Sequence, residues 1–100
     1  METQNLNLLR PRLKQLMDLG YKSDFTLLNN RLYSYDTQKY YSPDQITVGD
    51  EYRFVENTRT NYQVSLFTIT CEGGERGTIV TSSEQIEDAN LHGFIRSKHL

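Results

Sequence analysis

The stretch Tyr62-Gln63-Val64-Ser65-Leu66-Phe67-Thr68-Ile69-Thr70-Cys71, residues 62–71, decides the fold. It is rich in β-branched and aromatic residues, which suit a pleated, buried surface. Its apolar phase changes midway. Tyr62, Val64 and Leu66 lie on one parity, and Phe67, Ile69 and Cys71 lie on the other. Successive strand side chains point to opposite faces. Either a bulge near Leu66-Phe67 switches the faces, or the strand is central and covered on both sides.

Downstream, Glu72-Gly73-Gly74-Glu75 reads as a turn, where glycine supplies the required φ, and Gly77 to Thr81 reads as the returning strand. A hairpin symmetric about Gly73-Gly74 would set Arg76 opposite Cys71. Upstream, Asn57 to Asn61 is a polar hairpin loop. In Glu51 to Glu56, Tyr52 and Phe54 share one face while Glu51, Arg53 and Val55 share the other. Gly49-Asp50 reads as a turn after the strand-like Ile46-Thr47-Val48. Ser42-Pro43-Asp44-Gln45 carries a capping box and reads as a single helical turn. Phe25 to Leu28 and Arg31 to Tyr35 read as strands joined at Asn29-Asn30, and Asp36 to Tyr41 as loop.

The N-terminal segment is helical. Leu6, Leu9, Leu13, Leu16 and Met17 make one apolar stripe at the 3.6-residue period. Asn7 can cap the start, which puts Pro11 in the first turn; a start further upstream is the alternative, and Pro11 would then strain the helix. Gly20 is the left-handed terminator that lets Tyr21 fold back. After Thr81, Ser82 and Gln85 form a second capping box before a short helix or tail carrying Ile86, Leu91, Phe94 and Ile95.

These elements predict a single α+β domain over residues 1–100. One amphipathic helix packs on a four- to five-stranded, mainly antiparallel sheet, followed by a short C-terminal helix or tail. The expected core is Leu9, Leu13, Leu16, Leu19, Phe25, Leu27, Leu32, Ile46, Tyr52, Phe54, Val64, Leu66, Phe67, Ile69, Ile79 and Val80. One helix covers only part of such a sheet. The other face must be polar, or covered by the C-terminal segment or another subunit.

Apolar residues make up 36% of the chain, so the core is expected to be thin, with seven tyrosines partly filling the gap. Net charge is −2, and the scattered Lys and Arg form no concentrated positive face, which argues against a nucleic-acid partner. Cys71 stands alone, so no intrachain disulfide is expected. Met1 to Leu9 lacks the charged-then-apolar pattern of a signal peptide, and no apolar run approaches the ~20 residues of a membrane span. A cytoplasmic protein with no membrane partner is the expectation.

No catalytic, cofactor or metal residues stand out. Cys71, His92 and His99 lack metal-ligand spacing. Cys71 ends an apolar strand, where a thiol behaves as a small buried hydrophobe, and an arginine alone gives it no general base. Gly73-Gly74-Glu75-Arg76-Gly77 leads into a strand rather than the helix that a phosphate loop needs. Glu72 and Glu75 read as solvated carboxylates flanking the turn. The tyrosines of the middle third, Tyr33, Tyr35, Tyr40, Tyr41 and Tyr52, fill core or mark a binding surface.

Several segments resemble a family of short bacterial proteins of about this length, often labelled phosphoribosylpyrophosphate synthetase. They are Leu13 to Leu16, Gly20 to Phe25, Ser42 to Ile46, Tyr52-Arg53-Phe54 and Arg76 to Val80, so the resemblance spans about residues 10 to 81. Asn57 to Asn61 is shorter than the corresponding loop, and the tail after Thr81 differs. The label does not carry over as chemistry. Enzymes that make phosphoribosylpyrophosphate are several times longer and use doubly wound α/β domains with Mg²⁺ and ATP. Asp36-Thr37-Gln38 is the nearest trace of their ribose-phosphate loop, and it lacks the second acid and the glycines.

The sequence therefore favours a non-catalytic module that binds a protein partner or itself as a homodimer. The next reading is a binder of a small anionic ligand, such as a nucleotide or sugar phosphate, held by Arg53, Arg76, nearby tyrosines and the Ser82-Ser83 turn. An enzyme comes last. The residues expected on the interface or ligand surface are Tyr33, Tyr35, Tyr52, Arg53 and Arg76.

Overall fold

The computed structural model describes residues 3–28, 31–55 and 63–82. The predicted turn at Asn29-Asn30, the loop at Asn57 to Asn61 and the second capping box with its C-terminal tail lie outside these. A short strand β1 (Thr3–Asn5) leads through a 3₁₀ turn (Leu6–Leu8) into helix α1 (Leu9–Asp18). Strands β2 (Ser23–Leu28), β3 (Arg31–Ser34) and β4 (Tyr40–Tyr41) follow. A second 3₁₀ turn (Pro43–Gln45) precedes β5 (Ile46–Val55), β6 (Gln63–Cys71) and β7 (Arg76–Ser82).

The α+β class stands, but the four- to five-stranded, mainly antiparallel sheet does not. One seven-stranded sheet runs β1-β5-β6-β7-β2-β3-β4 and is mixed, because β1 pairs with β5, and β2 with β7, in parallel. The parallel contacts span only three and two residue pairs. Segments that short carry no periodicity, and the polar Thr3-Gln4-Asn5 does not read as a strand. Tyr40-Tyr41, expected as loop, pairs with Leu32 and Tyr33 as an edge strand.

α1 forms as its stripe predicts, with Pro11 in the first turn. Asn7 does not cap it: α1 starts at Leu9 without a side-chain cap, and Asn5 caps the preceding 3₁₀ turn, accepting from the Asn7 N–H at 2.8 Å. The helix ends in a Schellman pair, in which the Tyr21 N–H donates to Leu16 and the Gly20 N–H to Met17, with Gly20 at φ +104°. Leu16 is buried, with Leu6, Leu9, Leu13, Tyr21 and Tyr52 around it, over Phe54, Val64 and Leu66. Leu19 and Val80, expected in the core, are instead exposed.

β6 resolves its own ambiguity. Its register against β7 is continuous from Val64 to Thr70, so no bulge separates Leu66 from Phe67. The strand is central, and both faces are buried. Val64 and Leu66 face the helix, while Phe67, Ile69 and Cys71 face a second cluster with Phe25, Leu32, Tyr41, Ile46, Val48 and Ile79. The second cluster draws on β2, β3 and β4 as well as β5, β6 and β7. Strands β2 to β4 therefore curl over the second face of the sheet.

The bulge lies in the neighbouring strand. Gly49-Asp50 does not turn the chain, because β5 runs through it with a register shift between Val48 and Glu51. The extra residue puts Ile46 and Val48 on one face and Tyr52 and Phe54 on the other. Thr68 fixes the place. Its hydroxyl accepts from the Asp50 N–H at 2.8 Å, and a Cβ on Gly49 would come within 2.5 Å of that oxygen.

Candidate functional site

The β6–β7 hairpin does not pair symmetrically about Gly73-Gly74. Thr70 lies opposite Arg76, one residue away from the expected register. A slip of one sends side chains to opposite faces, so Arg76 and Cys71 do not meet. Cys71 is instead buried near Glu75, and burial, then the Glu75 charge, push its thiol up to about 12. At neutral pH its thiolate fraction is about a thousandfold below that of an ordinary cysteine. A thiol reagent such as dithiobis(nitrobenzoate) should leave Cys71 unlabelled in native buffer and label it promptly in denaturant. Rapid native labelling would show an open or activated thiol.

The same register turns Glu75 inward. Its carboxylate is not solvated but gathers hydroxyls from four places in the chain. Oε2 accepts from Ser23 Oγ at 2.7 Å and Ser34 Oγ at 2.5 Å. Oε1 accepts from Thr37 Oγ1 at 2.9 Å and Tyr41 OH at 2.6 Å. Ser34 also accepts from the Thr37 N–H, closing the turn between β3 and β4. Burial pushes the carboxyl up, but the hydroxyls, Ser34 and Tyr41 foremost, outweigh it and hold the pKa at about 2. Tyr41 is pushed up to about 12, by burial first and then by its bond to Glu75. A carboxylate this acidic, with both oxygens occupied, is a poor proton acceptor. It ties β2, β3, β4 and β7 together. No local pattern announces it, because its partners are spread over residues 23 to 41 and meet it only when the sheet curls.

Three of the five residues predicted to form a surface, Tyr52, Arg53 and Arg76, go to separate places. Tyr52 packs beneath α1, with the Arg12 guanidinium 4.6 Å from its ring centre. Arg53 projects to the other face and pairs with Glu51 at 3.0 Å. Arg76 lies over the Tyr21 ring at 4.0 Å. Arg53 pairs with Ser65 and Arg76 with Thr70, on opposite faces of β6 and five residues apart along it. The two arginines therefore do not converge on one anion.

Tyr33 and Tyr35 do come together, and Tyr40 joins them. Leu32 and Ser34 point inward, so alternation sends Arg31, Tyr33 and Tyr35 outward. Ser34 and Lys39 form a bonded pair, which makes Tyr33 and Tyr40 the next, closer pair of the ladder. Their rings lie 4.9 Å apart, Tyr33 meets Tyr35 edge-on at 5.5 Å, and Arg31 lies over Tyr40 at 4.7 Å. Tyr35 is 58% exposed and Tyr40 46%. Thr26 and Leu28 of β2 extend the same face, opposite Tyr33 and Arg31.

Comparison of the chain with family models, curated proteins and solved structures finds no match. Among the described residues, no helix is long and apolar enough to cross a membrane.

Proposed function

We propose that this chain is a non-catalytic binding module that engages a protein through the outer face of β2, β3 and β4. One observation carries the reading. Three tyrosine rings, with Tyr33 touching both Tyr35 and Tyr40 and with Arg31 and Leu28 alongside, stand on the outside of a sheet whose inner face is already filled. Tyrosine and arginine are the residues that concentrate binding energy at interfaces, because each adds contact area while keeping polar groups for a partner. The resemblance to the short bacterial family belongs to the same proposal and adds no reaction to it.

The double variant Tyr35→Ala/Tyr40→Ala tests the reading. Both side chains are largely exposed, so its unfolding free energy should fall by only about 1 kcal/mol. Proteins crosslinked to the wild-type chain in its native extract should be lost with the variant. A variant that keeps every crosslink, or that unfolds, would show the tyrosines to be structural filling.

A further inference from the structure

Charge is distributed along this face in a self-complementary way. Leu28 pairs with Arg31 and Thr26 with Tyr33. The Tyr35 N–H donates to the Asp24 carbonyl at 3.0 Å, which places Asp24 beside Tyr35. Asp36 sits at the same end, its Oδ2 accepting from the Asp24 N–H at 2.7 Å. The face thus has Arg31 at one end, Asp24 with Asp36 toward the other, and Tyr33 with its ring neighbours between, while Lys22 and Arg76 follow beyond the carboxylates, with Arg76 held over Tyr21. Arg31 and Asp24 lie about 13 Å apart along the strands, too far to meet within one chain. Arg31 contacts a ring, and neither Asp24 nor Asp36 has a cationic partner among the described residues. Lys39, opposite Ser34, is sent by alternation to the other side of the sheet. The Asp24 carboxyl is raised, first by desolvation and then by Asp36.

A two-fold axis through the middle of such a face brings unlike ends together twice. We propose that the occupant of the face is a second copy of this chain, packed about an axis near Tyr33 so that Arg31 of each copy meets Asp24 and Asp36 of the other. This rests on the reading of the face as a contact surface and adds the identity of the partner. The patch is small, so the dimer belongs with interfaces under about 1,200 Å² and dissociates in the micromolar range.

Sedimentation equilibrium of the full chain from about 10 μM to about 1 mM, at low and high salt, reads the dimer directly. The mass should double across the series, and salt should shift the transition to higher concentration. Arg31→Asp and Asp24→Lys should each weaken the dimer at least tenfold, by placing like charges opposite each other. An equimolar mixture of the two should dimerise again, because each then meets its opposite. Circular dichroism melts matched to wild type establish that both variants fold. A wild-type chain that stays monomeric to about 1 mM, or a dimer that neither substitution weakens, overturns the inference. In the first case, loss of crosslinks to another protein in Tyr35→Ala/Tyr40→Ala would still leave the contact surface standing. If those crosslinks also persist, both ideas fall together.

Discussion

Gly77→Ala should cost this protein about 3 kcal/mol or more, a large share of the ~5–15 kcal/mol that holds a typical fold together. Gly77 is the point where β2 leaves the plane of the sheet. Ser23 pairs with Gly77 in parallel and Asp24 with Thr78, after which β2 turns away to pair with β3. A Cβ on Gly77 would overlap the Ser23 carbonyl group and lie 2.7 Å from the Phe25 ring. The obstacle is largely backbone, so no rotamer change relieves it. The strand must move, and it carries Phe25 out of the inner cluster and Ser23 away from Glu75. Gly73→Ala is the control. Gly73 has φ +93° with nothing within 4 Å of its added Cβ, so the cost there is the left-handed backbone alone, about 1 kcal/mol. Urea unfolding of both variants should rank them in this order. A Gly77 variant as stable as wild type would mean that β2 does not cross β7 this closely.

That crossing also marks where the sequence stops being readable. The helix, its glycine terminator and the doubly buried β6 follow from local spacing. Each rests on contacts between near neighbours, or on the period of one strand. The two parallel contacts rest on neither. The β2–β7 pair joins residues 23–24 to 77–78 over two positions, and its only trace is a glycine inside an apolar strand, which signals close backbone approach without naming the partner. The bulge at Gly49-Asp50 gave a clear local signal, but a turn gives the same one. What separates them is Thr68, a strand away, whose hydroxyl takes the freed N–H.

The site follows the same logic. Alternation along β3 sets Tyr33 and Tyr35 on one side of it, so their shared face follows once Arg31 to Tyr35 is read as a strand. Tyr40 could not be placed until β4 was recognised as a strand. Arg53 and Arg76 looked equivalent in sequence, yet the bulge and the one-residue offset of the hairpin put them on opposite faces. Glu75 was misread for the same reason, since a register one residue different would leave it solvated.

Removal of the Glu75 carboxylate should have a comparable effect on stability. Glu75→Ala deprives Ser23, Ser34, Thr37 and Tyr41 of their acceptor. Ser34 and Tyr41 are themselves buried, so water cannot readily replace it, and the expected loss is about 4 kcal/mol. Glu75→Gln keeps the shape but turns one acceptor into a donor facing hydroxyls, and should lose about half as much.

The pH dependence separates charge from shape. Glu75 binds its proton at about 2 in the folded chain and near 4.5 when unfolded. Between these values the unfolded state holds more protons. Stability should therefore be complete above pH 4.5 and fall as pH drops toward 2, by about 2 to 3 kcal/mol after allowance for solvent screening. Glu75→Gln should flatten that limb. On the alkaline side the groups run the other way. Tyr41 and Cys71 lose their protons near 10 and 9 when unfolded but at about 12 when folded, so stability should fall as pH rises above 9. Tyr41→Phe should remove part of that alkaline loss while costing about 1 kcal/mol at neutral pH. Urea midpoints measured from pH 2 to 11 give both limbs. An acid limb unchanged in Glu75→Gln would show that the carboxylate does not hold the curled sheet closed.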